Sequence, residues 1–173
     1  MSSRVKKKIL KLKESSTLVI NEKSKDLISN GKKIFQFGFG QSPFPIPEKI
    51  VEALKKNAKR KEYLPIQGLP ELRKNISKYL SIRTGNDYPK ENILITPGSK
   101  EAMLLIHIAF NGEIIIPAPG WVSYEPQAEI GSNKVHWLET SRSNNWFPTG
   151  KELEKKIKLI GKKKNLILIL NSP

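Results

Sequence analysis

The chain has 173 residues, 38% of them hydrophobic, and its 31 lysines and arginines against 16 acidic residues give a formal net charge of +15. This composition predicts a folded chain with a real core, and it excludes a bilayer-spanning helix, because no apolar run approaches the ~20 residues that such a helix needs. The absence of cysteine excludes disulfides, thiolate metal sites and cysteine nucleophiles, and we expect a cytoplasmic protein.

The first half of the chain predicts an arm and two helices. Residues 1–30 are polar and basic with a weak apolar repeat, and residues 34–41 alternate apolar and small side chains before three prolines make positions 43–47 extended. Amphipathic helices are expected over residues 47–58 and 69–83. The inward face of the second should hold Leu72, Ile76, Tyr79 and Leu80, and Gly85 should end it.

Strands and helices alternate from this point to the end of the chain. The predicted strands are residues 93–95, 114–116, 135–138 and 166–170, and the predicted helices between them are residues 99–110, 122–130 and 149–160. Thr149 and Glu152 match a capping box at the start of the last helix. Short apolar strands separated by helices are typical of a parallel sheet that is buried on both faces, so the predicted fold class is α/β.

A turn between a strand and a helix predicts a phosphate site. Gly98 allows the backbone to turn sharply, and the helix that opens at Ser99 presents amides without intrahelical partners. Such a helix start binds phosphate readily, with the Ser99 hydroxyl as a further donor. Capping of the helix by Ser99 alone explains the same pattern, so this turn by itself is weak evidence.

An aromatic side chain follows the next predicted strand. Trp121 should emerge at the same sheet edge as Ser99, because ligands of parallel sheets bind at the carboxyl ends of strands. An indole in this position can lie flat on an aromatic ring, although packing in a core or an interface is an equal alternative. Together, the two features indicate a phosphorylated heteroaromatic cofactor. His107 and His136 lack partners at metal-ligand spacing, so we interpret both as structural and expect no metal.

Four motifs, in order and with the spacing of a known family, resemble the class I/II aminotransferases, which are pyridoxal-phosphate enzymes of fold type I similar to aspartate aminotransferase. The motifs are Tyr63-x-Pro65-x-x-Gly68-x-x-Glu71-Leu72-Arg73, Pro97-Gly98-Ser99-Lys100-Glu101-Ala102, Pro117-x-Pro119-x-Trp121-x-x-Tyr124 and Asn171-Ser172-Pro173. The resemblance implies a three-layer α/β/α fold with a mostly parallel sheet. It also implies an arm and part of a small domain over residues 1–45, and the first part of the cofactor-binding large domain over residues 46–173.

The resemblance assigns roles to six residues, listed here with the contact each implies. Gly98, Ser99 and Lys100 would contact the phosphate of pyridoxal 5′-phosphate, Trp121 would stack on its ring, Tyr63 would reach the phosphate bound by the partner subunit of a homodimer, and Gly40 would approach the substrate carboxylate through its backbone. The substrates implied are an amino acid and a 2-oxo acid. The sequence after Gly40 departs from the family, whose members more often have an acidic residue and proline there.

The resemblance also implies that this chain holds no catalytic residue. In the family, the Schiff-base lysine and the arginine that grips the substrate carboxylate come further along, and no lysine here sits in a comparable small-residue loop. We therefore expect the chain to be the first portion of a longer enzyme and to be inactive on its own. It is also expected to expose apolar strand edges that favour aggregation.

Three alternatives remain at this point. Lyases and synthases that use the same cofactor share the scaffold, and the chain could instead be a catalytically silent half-domain or interaction protein. The high positive charge also suggests nucleic-acid binding as a third possible function. Its dense lysine clusters, at residues 6–13 and 162–164, lack interleaved aromatic and arginine side chains, so we interpret them as solvated surface and expect neither a nucleic acid nor a membrane as partner.

Overall fold

The computed structural model describes residues 4–12, 14–38, 40, 42–161 and 164–171 and divides the chain into two compact units. One unit comprises residues 1–40 and 102–173, and the other comprises residues 41–101. Several residues of the sequence motifs and lysine clusters lie outside the described ranges: Lys13, Phe39, Gln41, Lys162, Lys163, Ser172 and Pro173. The domain boundary after residue 45 stays a prediction.

The larger unit is built on a parallel sheet. Its central strand, β1 (Glu113–Ala118), lies between β2 (Val135–Glu139) and β3 (Leu166–Leu168), and both neighbours run parallel to it. The parallel α/β arrangement predicted from the alternation of strands and helices is confirmed. The strand β3 is shorter than predicted, although Ile169 still donates its amide to the carbonyl of Ile115 at 3.0 Å.

The core of this unit forms around β1. Ile114 and Ile116 on one face are 0% exposed and Ile115 on the other is 1% exposed, as expected for an apolar strand that is covered on both faces. Tyr124 and Ala128 complete the buried cluster with them, and Trp137 packs against it. Because β1 is fixed by a neighbour on each side, the loop that follows it leaves from a rigid base.

The described part of this unit contains four helices and most of a fifth, α5, which begins in the other unit. They are α1 (Lys7–Leu10), α2 (Ser16–Ser29), α5 (Ser99–Ala109), α6 (Tyr124–Gly131) and α7 (Gly150–Ile160). The capping box of α7 is confirmed, since Thr149 Oγ1 accepts from the Glu152 amide while the Glu152 carboxylate accepts from the Thr149 amide at 2.7 Å. In the described residues, no helix is long and apolar enough to cross a membrane.

The smaller unit contains α3 (Glu48–Asn57) and α4 (Pro70–Thr84), both close to their predicted ranges. Gly85 ends α4 in a left-handed conformation, as expected. The predicted inward face of α4 is partly wrong, because Tyr79 is 58% and Leu72 41% exposed. The buried residue of this helix is instead a charged one, Arg73, which is 7% exposed.

The strand predicted at residues 93–95 is wrong. The backbone at Ile93 is extended, but the described residues contain no strand that pairs with this segment. A single backbone hydrogen bond resembles strand pairing: the Ile95 amide donates to the Gln67 carbonyl at 3.0 Å. An apolar run favours an extended backbone, whereas a strand exists only where a second segment completes its hydrogen bonds.

Arg73 holds the turn that precedes this segment. Its Nε donates to the carbonyl oxygens of Lys90 and Ile93 at 3.0 and 2.9 Å, and Nη2 donates to Lys90 O at 2.6 Å. Buried carbonyls need partners, and a planar guanidinium can serve two of them at once. Arg73 therefore ties α4 to residues 90–93, the segment that precedes the Gly98 turn.

Replacing Arg73 with lysine should lower the free energy of unfolding by about 1.5 kcal/mol, because an ammonium group keeps the charge but cannot bridge both carbonyls. Urea unfolding followed by circular dichroism measures the change. Arg83→Lys is the matched control on the same helix, since Arg83 donates only to the exposed Tyr79 hydroxyl. Equal effects of the two substitutions would contradict the anchoring role of Arg73.

Candidate functional site

The loop after β1 places an indole at the carboxyl edge of the sheet. Because the strands are parallel, all three end at this edge, where α/β proteins bind ligands. Trp121 follows the end of β1 by three residues and is 38% exposed. Gly120 makes the turn possible, since a Cβ there would lie 2.9 Å from Ile116 Cγ2 and 3.0 Å from the Pro117 carbonyl oxygen.

Two further contacts order this loop. The Trp121 and Tyr124 rings are nearly perpendicular, at 80°, with centroids 5.5 Å apart. The Tyr124 hydroxyl donates to Asn171 Oδ1 at 2.9 Å, which joins the loop to the segment after β3. Trp146 and Phe147 line a recess beside these residues and remain about half exposed.

The smaller unit contains the predicted phosphate turn. Gly98 has a φ of +95°, and no atom lies within 4 Å of the position that a Cβ would take. The Gly98 amide is already used, since it donates to Thr96 O at 2.7 Å. Helix α5 begins at the next residue, Ser99, and its first turn through Glu101 is exposed. The amides that can meet an anion are therefore those of the helix start, with Gly98 providing the open approach.

The remaining predicted site residues are exposed. Tyr63 lies in the smaller unit with Gly98, Ser99 and Lys100, and its side chain is fully solvent-accessible. Gly40 belongs to the larger unit, as does Trp121, and a Cβ at Gly40 would meet no described atom beyond its chain neighbours within 4 Å. Gly98, Ser99 and Lys100 thus form one turn of the smaller unit, which also contains Tyr63, whereas Gly40 and Trp121 belong to the larger unit.

A charged cluster that the sequence analysis missed lies at the opposite, amino-terminal edge of the sheet. Glu113, at the start of β1, accepts from His136 Nε2 at 2.5 Å through Oε2 and from Lys164 Nζ through Oε1. The hydrogen bond from Lys164, followed by that from His136, lowers the pKa of Glu113 to about 2. The pairing of His136 with Glu113 depends on strand register, which no local pattern reveals.

His107 also has a structural position. It is 1% exposed on α5, and burial lowers its pKa, while a hydrogen bond with the Gln127 backbone acts in the opposite direction. A neutral imidazole therefore packs between helices. In the part of the chain that the structure describes, no group of histidine and acidic side chains could hold a metal ion.

Comparison with known proteins identifies the family. The model of the family "Aminotransferase class I and II" matches residues 32–173. The chain belongs to the class I and II aminotransferases. The match spans the Trp121 loop, the Gly98 turn and the parallel sheet, so the family assigned by resemblance is confirmed, as is its α/β fold.

Individual relatives agree with this family. The aspartate aminotransferase of Thermotoga maritima is 32% identical over 174 residues, which cover 98% of this chain and 45% of that protein. The asparagine–oxo-acid transaminase of Streptococcus mutans is 29% identical, over 99% of this chain and 44% of that protein. The crystal structure of the Thermotoga maritima enzyme matches with a TM-score of 0.79 at 31% identity, over 87% of this chain and 42% of that one. The chain thus spans less than half the length of these relatives.

Proposed function

We propose that this class I/II aminotransferase chain contributes a pyridoxal 5′-phosphate site to the transfer of an amino group between an amino acid and a 2-oxo acid. The observation that carries the proposal is the Gly98 turn, whose open approach leads to an exposed helix start. The half-exposed indole of Trp121 at the carboxyl edge of the sheet supports it. The family of the chain supports it independently.

The residues present fit the cofactor. Its phosphate is a dianion, which suits the amides and dipole of the α5 start, the Ser99 hydroxyl and the charge of Lys100. Its ring is a flat heteroaromatic, which suits stacking on Trp121. When bound, the cofactor supplies an electron sink for the charge that develops at the substrate Cα. Ser99 and Lys100 would hold the phosphate of the cofactor, and Trp121 would orient its ring and shield one face of that ring from water.

The remaining site residues complete the proposal. Gly40 has no described atom beyond its chain neighbours within 4 Å of a Cβ position, which suits the approach of a substrate carboxylate from that side. The fully exposed Tyr63 is proposed to reach the phosphate bound by a second subunit of a homodimer. Residues 1–45 are proposed as arm and small-domain elements and residues 46–173 as large-domain elements. We propose no catalytic residue on this chain, so cofactor binding, without turnover, is the activity expected of it.

Pyridoxine 5′-phosphate is the suitable probe, because it lacks the aldehyde that would react with the many surface lysines of this chain. Trp121→Leu should weaken its binding about fivefold, since stacking on an aromatic ring contributes about 1 kcal/mol beyond burial. Isothermal titration calorimetry measures the dissociation constant.

Trp146→Leu is the matched control, because Trp146 is 53% exposed and has no proposed ligand role. Absence of any saturable binding by the unmodified chain would overturn the proposed function. Equal losses of affinity in the two tryptophan variants would overturn the stacking role of Trp121 but not the proposed function.

A further inference from the structure

Tyr124 connects two segments that leave the carboxyl ends of neighbouring strands. It is the first residue of α6, and its amide donates to the Trp121 carbonyl at 3.1 Å. Its hydroxyl donates to Oδ1 of Asn171, which lies three residues beyond the end of β3. One side chain thus bridges the loop after β1 and the segment after β3.

The ring of Tyr124 also contacts the indole of Trp121 in the perpendicular arrangement described above. Aromatic pairs prefer such geometry, so the orientation of one ring restricts the other. Tyr124 is only 6% exposed and belongs to the core cluster with Ile114 and Ile116, whereas Trp121 is 38% exposed. Tyr124 therefore offers little surface to a ligand and can act on one mainly through its neighbour.

We propose that Tyr124 is a positioning residue, which sets the orientation of the Trp121 indole through its hydrogen bond to Asn171. This bond holds the Tyr124 ring in place, so loss of either the hydroxyl or the Asn171 oxygen releases the ring. The Trp121 ring, packed edge to face with it, moves as well. The importance of this orientation for cofactor binding rests on the proposed function, but the coupling of the three side chains does not.

A cofactor-free experiment tests the coupling. The Trp121 contribution to the near-ultraviolet circular dichroism is the difference between the unmodified chain and Trp121→Phe. Asn171→Ala leaves both rings in place and should remove at least half of this contribution, whereas Asn171→Asp keeps an Oδ acceptor and should retain most of it. An unchanged spectrum in Asn171→Ala, or equal losses in both variants, would overturn the proposal. Asn171 is exposed, so neither change is expected to unfold the chain.

Binding of pyridoxine 5′-phosphate provides the second measurement. Tyr124→Phe and Asn171→Ala should each weaken binding about threefold, and the double variant should bind no more weakly than either, because both remove the same hydrogen bond. Fully additive losses would contradict the shared bond. Tyr79→Phe, which removes an exposed hydroxyl on α4, should have no effect. If the unmodified chain binds no probe, the proposed function fails, and the dichroism experiment still decides the role of Tyr124.

Discussion

Gly98→Ala is expected to weaken the binding of pyridoxine 5′-phosphate about tenfold, the largest effect on ligand binding that we predict. A Cβ at this position would project into the open approach to the α5 start, and the φ of +95° is one that alanine rarely adopts. The turn would relax and shift the helix amides away from the phosphate. Calorimetric titration of both chains under matched buffer conditions gives the ratio of dissociation constants.

Gly85→Ala separates this effect from backbone strain. Gly85 also has a positive φ, of +73°, and also has no atom within 4 Å of a Cβ position, but it ends α4 and has no proposed ligand contact. Both substitutions should lower the free energy of unfolding by about 1 kcal/mol. Only Gly98→Ala should weaken the binding of pyridoxine 5′-phosphate. A comparable loss of affinity in Gly85→Ala would contradict the proposed role of Gly98 in phosphate binding.

Glu113→Gln is expected to lower the free energy of unfolding by about 2 kcal/mol at neutral pH, the largest stability effect that we predict. The substitution keeps the shape of the side chain but removes the charge that His136 and Lys164 share. Breaking a buried ion pair usually costs more, but the Lys164 side chain is 54% exposed, which reduces the loss. Glu154→Gln is the control, because its pair with Lys158 is exposed at both ends and should contribute at most ~0.5 kcal/mol.

The pH dependence of this loss has a defined sign. The folded-state pKa of Glu113 is about 2, below its ordinary value of 4.5, so its ionised form stabilises the fold. That contribution is fully present above pH 4.5 and is lost as the pH falls from 4.5 towards 2. The stability difference between the unmodified chain and Glu113→Gln should therefore shrink over this range. Urea unfolding at a series of pH values measures it, and a difference that stays constant down to pH 2 would contradict the ion-pair account.

Local patterns predicted much of the fold. The capping box at Thr149 and Glu152 uses residues three apart, so the sequence alone contains all of its geometry. The run of isoleucines in β1 is buried on both faces, which an uninterrupted apolar segment between turns indicates. The sharp turn at Gly98 and the helix start at Ser99 were also predictable from the sequence, because consecutive residues form them.

Features that depend on distant residues could not be predicted in the same way. A charged residue such as Arg73 is usually solvent-exposed, and its burial follows from carbonyls that lie 17 and 20 positions away. The partner of Glu113 across the sheet depends on strand register. The bond from Tyr124 to Asn171 joins residues 47 positions apart, and only the parallel order of β1 and β3 brings them together.

Titration of the labelled chain with pyridoxine 5′-phosphate, followed by two-dimensional amide-proton NMR, tests most directly whether one cofactor meets both the α5 start and the Trp121 loop. We expect the backbone amide signals of Ser99 and Lys100 and the indole N–H signal of Trp121 to shift together, with a single dissociation constant. Shifts confined to one of these groups, or two different dissociation constants, would contradict a common site.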